Sequence, residues 1–222
     1  MSELTLIIPA KNESECLPRV LNEIKDQDVE VKVLLHENDS LTINSIKNFT
    51  CEIIYQNNQG YGDALIQGIN LTTTKYFCIF NADGSFDPTE LKKMLSKINE
   101  INCDFVFGSR YQKNSGSDDD TIITLIGNFI FTKIGNIFFN LPITDILYTF
   151  VLGKTESAKR LNLTRKDFSF CVELPIKAIR KNMLITSINS YERKRLAGKK
   201  KVNAFKDGFL ILKYMIYLYF KK

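Results

Sequence analysis

Short apolar runs and helix-period segments take turns along the first 110 residues of this chain, and few architectures accommodate that alternation. The runs LTLII at 4–8 and VKVLLH at 31–36 have strand length, and Leu17, Val20, Leu21 and Ile24 between them recur at helical spacing, so the opening is a β-α-β unit. Further strands are expected at 52–55, 75–80 and 104–107, and helices at 61–71 and 88–99. Strands separated by helices predict an α/β class fold: a Rossmann-like, mostly parallel sheet with helices on both faces. Asp87, Pro88 and Glu90 read as N-cap, first-turn proline and capping-box glutamate of a helix starting at 88, which gives Asp87 a structural role.

After residue 110 the rhythm changes. QKNSGSDDD is a polar loop, and the apolar stretch 122–143 is interrupted by Gly127, Lys133, Gly135 and asparagines. A lysine near the centre of a bilayer costs about 3 kcal/mol, so a helix lying on the core or in a membrane interface is expected rather than a clean span. A helix near 170–181, a strand near 185–190 and a last helix from 203 to 220 complete the chain. With no linker or internal repeat between these parts, residues 1–202 read as one domain and residues 203–222 as a C-terminal amphipathic helix packed on it.

Composition narrows the chemistry. At 44% hydrophobic and 25% charged, the 222 residues have the make-up of a soluble globular protein. The single histidine, His36, excludes zinc sites built on several imidazoles and leaves few ways to assemble a Ser-His-Asp machine; it reads as a satisfied strand-end residue. Five cysteines without a C-x-x-C pair predict reduced core thiols in a cytosolic compartment. The opening MSELTLIIPAKNE has no basic n-region, so no signal peptide is expected there. Charge is unevenly spread: residues 191–222 hold ten Lys and Arg against Glu192 and Asp207, a surplus of eight that leaves about −3 on the rest. Such a block suits a diphosphate, an anionic lipid surface or nucleic acid, and it carries no recognised nucleic-acid motif.

In an open parallel sheet, ligands bind beyond the carboxyl ends of the strands. Four of those ends are polar here: Pro9-Ala10-Lys11-Asn12-Glu13, Glu37-Asn38-Asp39-Ser40, Asn81-Ala82-Asp83-Gly84-Ser85 and Gly108-Ser109-Arg110-Tyr111. Each alone is compatible with a cap or a turn, but the four converge on one cleft. Taken in this order, with GYGDALIQGI at 60–69 and an R-x-x-G-x-x-K at Arg195, Gly198 and Lys201, they resemble the inverting family 2 glycosyltransferases of GT-A fold. Within that family the likeness is to the dolichol-phosphate mannosyltransferases and their bacterial polyprenyl-phosphate relatives, over residues 4–212.

The resemblance implies a GT-A catalytic domain, a UDP- or GDP-sugar donor, Mg2+ or Mn2+ as cofactor, and inversion at the anomeric carbon. It sets the donor base and ribose against Pro9, Ala10, Glu13 and Glu37, and a helix start at Gly60, Gly62 and Ala64 close by. The family's D-x-D metal grip is Asn81-Ala82-Asp83 in this chain, so Asp83 supplies the charge, Asn81 a neutral oxygen at best and Ser85 a further ligand. Weaker metal binding than with a full D-x-D follows. Arg195 and Lys201 fall where the family stabilises the leaving diphosphate, and Lys200 replaces a serine there. Arg110 is suited to hold an acceptor phosphate. Asp145, the only acid between 121 and 155, matches a family aspartate, either as a base or as a residue orienting Arg110 or the acceptor. The glycine of the family's D-x-x-x-G-F is Thr149 here, so the acceptor pocket is expected to differ.

The expected activity is hexose transfer to a polyprenyl phosphate at the cytosolic face of a membrane. Residues 208–220 and 122–143 are expected to make peripheral contact with an anionic membrane, with packing on the core or homo-oligomer contact as the alternative. Two other readings stand beside it: transfer to a sugar hydroxyl in polysaccharide or glycolipid synthesis, and a non-catalytic nucleotide-sugar-binding homologue. Nucleic acid is not an expected partner.

Overall fold

A computed structural model describes residues 2–198, 201 and 203–221. Lys200 and Lys222 lie outside the described residues. The first half of the chain runs β1 (Leu4–Pro9), α1 (Leu17–Ile24), β2 (Glu30–Leu35), α2 (Ser40–Ser45), β3 (Glu52–Tyr55), α3 (Tyr61–Leu71), β4 (Tyr76–Ile79), α4 (Glu90–Glu100) and β5 (Phe105–Ser109). There follow β6 (Gly116–Ser117), α5 (Ile122–Phe139), β7 (Val151–Lys154), α6 (Thr155–Arg160), α7 (Phe170–Arg180), β8 (Ile185–Asn189), β9 (Tyr191–Glu192) and α8 (Ala204–Phe220). Seven strands form one sheet in the order β3-β2-β1-β4-β7-β5-β8, parallel throughout except for β7, which is antiparallel to both neighbours. The α/β architecture expected from the alternation is the one that forms.

Pleating sends successive side chains of a strand to opposite faces, and both faces here are covered. In β1, Ile7 joins the apolar cluster with Leu65, Phe77, Phe105 and Val172, while Leu6 and Ile8 join the cluster on the other side with Leu17, Leu21, Met94 and Ile98. This explains why the strands read as unbroken apolar runs rather than as alternating ones. β7, which the sequence did not announce, is four residues long and contains Gly153. A Cβ at Gly153 would lie 2.4 Å from Phe105 Cδ1 and 2.8 Å from Phe77 Cε1, so glycine there leaves room for two aromatic rings to meet edge to face.

Two expectations are corrected. The helix expected from residue 88 begins at Glu90, and its N-cap position is Thr89 rather than Asp87. Asp87 does cap locally, its Oδ1 accepting from Thr89 N at 2.9 Å and from Thr89 Oγ1 at 2.8 Å. Glu90, however, closes no capping box: its carboxylate is buried and accepts from Ser190 Oγ and, at 3.1 Å, from Tyr191 N, tying α4 to β9 across the molecule.

α5 is apolar, as expected, but it is turned the opposite way from a helix of a water-soluble core. The stripe it buries is Asn128, Thr132, Gly135 and Phe139, while Ile122, Ile126, Phe129, Ile130, Ile137 and Phe138 are exposed. α8 packs alongside, burying Ile211, Tyr214, Met215 and Leu218 in the larger apolar cluster and exposing Phe205, Phe209, Ile216, Tyr217 and Phe220.

Candidate active site

A cavity of about 440 Å3 opens at the carboxyl ends of β1, β4 and β5, and three of the four polar strand ends singled out in the sequence meet around it; the 37–40 end does not line it. Pro9, Ala10, Lys11 and Glu13 form one wall. Their turn is held from the side by α2: Asn12, in the left-handed region at φ 53°, donates its N–H to Asp39 Oδ2 at 2.7 Å, and Glu13 N donates to Thr42 Oγ1 at 3.0 Å. Asp39 also caps α2 by accepting from Thr42 N. The acid that the β2 end sends toward this turn is therefore Asp39. Glu37, expected against the donor, is exposed on the turn and is not part of the cavity wall.

The 81–85 loop forms the floor. Asp83 Oδ1 accepts from Ser85 N at 3.0 Å, and Asn81 Nδ2 donates to Ser85 Oγ at 3.2 Å, so the three residues expected to face a cation share one small turn. Gly84, at φ 80°, leaves space for Leu196, whose Cγ would lie 2.6 Å from an added Cβ. Over this floor runs the basic loop from 193 onward. Its backbone clips to the floor through Arg193 N to Ser85 O at 2.8 Å and Leu196 N to Asp83 O at 2.9 Å. Arg195 pairs with Asp83, and Lys201 pairs with Glu13 and donates to the carbonyl of Lys11. Motifs separated by more than a hundred residues are thus in direct contact.

The far wall carries a different balance. Arg110 forks onto Asp145, with Nε at 2.7 Å from Oδ2 and Nη2 at 3.0 Å from Oδ1, and its Nη1 reaches Glu192 at 3.0 Å and Asp120 at 3.2 Å. The guanidinium also lies over the Tyr148 ring, 4.6 Å from its centroid. Burial alone would lower the Arg110 pKa; Asp145, Glu192 and Asp120 outweigh it and keep the group charged well into the alkaline range. Glu192 is pushed up, chiefly by burial and against the pull of Arg110 and Ser117. One cation surrounded by three carboxylates is not a free phosphate clamp, so the role expected for Arg110 alone does not follow from this geometry. Asp145 acts here as the residue that orients Arg110. It is itself fixed by Asn128 Nδ2 at 2.6 Å, and Asn128 Oδ1 accepts from Leu147 N.

Between these walls the cavity is lined by Tyr61, Leu147, Tyr148, Thr149 and Phe168. Tyr61 stacks on Phe168 at 4.9 Å and hydrogen-bonds Thr149 at 2.7 Å, so the side chain replacing the family's glycine is used as a partner for Tyr61. Gly60 and Gly62 have a reason other than ligand approach. A Cβ on either would lie 2.1 Å from a carbonyl oxygen, of Lys166 and Arg165 respectively, so both let the 165–167 backbone cross the start of α3. Gly62 is outside the cavity wall. His36 accepts from Asn38 N and closes its own turn.

Asp120, Asn128, Tyr148 and Glu192 were not singled out by sequence. The only signal for Glu192 was its place as an acid in a basic block. The pairing of β6 with β9 puts it opposite Ser117, beside Arg110. Among the described residues no group of three or more His, Cys, Asp or Glu is placed to hold a metal ion by itself. Mg2+ and Mn2+ sites that use one or two carboxylates complete their shell with substrate phosphates and water. Asp83 and Asn81, both on the cavity wall, fit a cation of that kind, brought in with a diphosphate; Ser85, expected as a further ligand, is buried outside the wall and holds the two side chains instead.

The chain is similar, at 24% identity over 210 residues, to an uncharacterized glycosyltransferase of Mycobacterium bovis, covering 94% of this chain and 93% of that protein. It is 21% identical to the low-salt glycan biosynthesis hexosyltransferase of Haloferax volcanii, covering 96% of this chain and 53% of that protein. In fold it is similar to glucosyl-3-phosphoglycerate synthase from Mycobacterium tuberculosis in complex with Mn2+, uridine diphosphate and phosphoglyceric acid, with a TM-score of 0.76, 13% identity, and coverage of 99% of this chain and 79% of that one. Mannosyl-3-phosphoglycerate synthase from Rubrobacter xylanophilus is likewise similar, with a TM-score of 0.72 at 14% identity over 98% of this chain and 72% of that one. The model of glycosyl transferase family 2 matches residues 5–161, the stretch that carries the β1, β4 and β5 strand ends around the cavity, and the chain belongs to that family.

Proposed function

We propose that this glycosyltransferase moves a hexose, with inversion, from a UDP- or GDP-sugar to a polyprenyl phosphate at the cytosolic face of a membrane. The observation that carries the reading is a shared wall: Thr124 and Asn128 of α5 and Ile211 of α8 line the cavity, while the outer faces of the same two helices are apolar and exposed. A membrane against that face brings headgroup-level acceptors beside the cavity. Lys133, Lys206, Lys213 and Lys221 are exposed among the apolar side chains, where they suit anionic headgroups. α5, with 18 residues and a mean hydropathy of 1.6, is long and apolar enough to cross a bilayer. Its inner stripe is tied to the site, though: Asn128 holds Asp145, and Thr132 accepts from Ile146 N, which favours a helix lying along the surface.

At the donor end, Arg195 and Lys201 are placed to stabilise the charge that a nucleoside diphosphate gains as it leaves. A bound cation would neutralise part of that charge, held by Asp83 with Asn81. Inversion requires the nucleophile to arrive opposite the diphosphate, from the Arg110 side of the cavity.

A second reading is favoured by the three carboxylates around Arg110. They make that wall net negative, which disfavours an anionic phosphate and suits a sugar hydroxyl whose proton Glu192 accepts. The test is to incubate UDP- and GDP-hexoses with Mn2+ and vesicles bearing either polyprenyl phosphate or a lipid-linked oligosaccharide, and to analyse lipid products by mass spectrometry. An acid-labile polyprenyl phosphohexose supports the first reading. An acid-stable glycoside, lost in Glu192→Gln, establishes the second. No product from any pair rejects both and leaves a nucleotide-sugar-binding homologue.

A further inference from the structure

The two groups assigned above to the donor's diphosphate and to its cation are bound to each other. Arg195 Nη2 lies 2.5 Å from Asp83 Oδ2, with side chains 15% and 12% exposed. The other Asp83 oxygen takes the Ser85 N–H, so both carboxylate oxygens are engaged. Arg195 is not satisfied in return: its Nε and Nη1 are buried without an acceptor among the described residues. The contact is balanced in charge and incomplete in hydrogen bonds, and the Leu196 N to Asp83 O bond holds it in register.

We infer that Arg195 is an exchangeable counter-ion of Asp83, which keeps a divalent cation off the 81–85 loop until a nucleoside diphosphate draws the guanidinium away. A cation arriving alone must displace Arg195 from Asp83 and leave a mostly buried positive group beside a dication, which combines desolvation with like-charge repulsion. A diphosphate removes both costs. Its oxygens accept from Nε and Nη1, the donors now without partners, in the forked geometry that guanidinium favours, and Asp83 is released to the cation. Asn81 sharpens the effect: a loop with two aspartates keeps one when the other is engaged, whereas this loop has no second formal charge. Cation and nucleotide therefore bind as a pair, each tightening the other by the same factor. The inference rests on the nucleoside-diphosphate donor proposed above.

Mn2+ binding to the whole chain, followed by electron paramagnetic resonance of the free ion, tests it without reference to turnover. Wild type is expected to bind Mn2+ at least about ten-fold more tightly with UDP or GDP present than without. Arg195→Gln is expected to bind Mn2+ alone about ten-fold more tightly than wild type, with the nucleotide effect correspondingly reduced. Lys201→Gln, which breaks the neighbouring contact to Glu13 and leaves Asp83 paired, is expected to match wild type for Mn2+ alone. Equal Mn2+ affinity of wild type and Arg195→Gln in the absence of nucleotide overturns the inference, as does a wild-type affinity that UDP and GDP leave unchanged while binding themselves. If neither nucleotide binds, the donor reading fails, and the comparison of wild type with Arg195→Gln for Mn2+ alone still decides the role of the arginine. Should Arg195→Gln lack the circular dichroism of the folded chain, Arg195→Met, which also removes the charge that faces Asp83, takes its place in that comparison.

Discussion

Glu173 has no exposed surface and is surrounded by donors: Thr164 N and Oγ1, Arg165 N, Tyr214 Oη and Lys177 Nζ. Burial alone would raise its pKa, and these donors outweigh burial and hold the carboxyl below the usual range. A carboxyl depressed in the folded state stabilises above its unfolded value, about 4.3, and that contribution is lost as pH falls through the folded value. Glu173→Gln is accordingly expected to cost about 3 kcal/mol at neutral pH and to flatten the acid limb below pH ~4, read from urea melts at the two pH values. Asp145→Asn removes the charge that forks onto Arg110, and transfer is expected to fall about 100-fold through misplacement of the guanidinium, measured as kcat with saturating donor. The sequence showed half of this scale. Asp83, Arg195, Lys201 and Glu13 were readable because each sits in an ordered motif at a strand end or in the basic loop. Glu173 and Glu192 were not, because their importance lies in partners: Glu192 meets Arg110 across 82 positions, and nothing local in either segment announces the pair.

Among the elements, α5 shows best how a correct reading of composition falls short of orientation. Apolar periodicity locates the buried face of a helix when water covers the other face. Here the inward stripe is Asn128, Thr132, Gly135 and Phe139, polar where Asn128 reaches the site, and most of the other apolar side chains point away from the protein. Charging the outer face with Phe129→Glu and Ile130→Glu is therefore expected to leave thermal stability within a few degrees of wild type while abolishing sedimentation with anionic vesicles. A large loss of stability in that variant would show the face to be covered by protein instead. The strands of the first half and the helices α3, α4, α7 and α8 were located to within a residue or two, the strands as apolar runs and the helices by their period, whereas the apolar stretch 122–143 outran α5 by four residues. α2 and α6, six residues each, show no apolar period, and β7, as long as β3 or β4, offers only Val151 and Leu152 before Gly153.

At the scale of the whole molecule, the cavity separates two electrostatic regimes. The donor side carries Lys11, Arg195 and Lys201 against Asp83 and Glu13, and the opposite side carries Arg110 against three acids. The ten basic residues of 191–222 were visible in the sequence, but the pairing of Arg195 and Lys201 with Asp83 and Glu13 was not, since charge counts contain no contacts. The position of β7 bears on how this platform is made. It is the seam between β4 and β5, yet it leaves the ribosome about forty residues after β5 and more than seventy after β4. Throughout that interval a nascent chain carries two facing strand edges without their partner, the kind of exposure that invites association between chains. The seam is also a long-range pairing, which slows its closure. Gly153→Val, which forces a side chain against Phe105 and Phe77, is thus expected to lower soluble yield far more than it lowers the specific activity of whatever fraction folds, a comparison readable from one purification. Productive synthesis of this enzyme is a race between aggregation of an unzipped sheet and the late arrival of one four-residue strand.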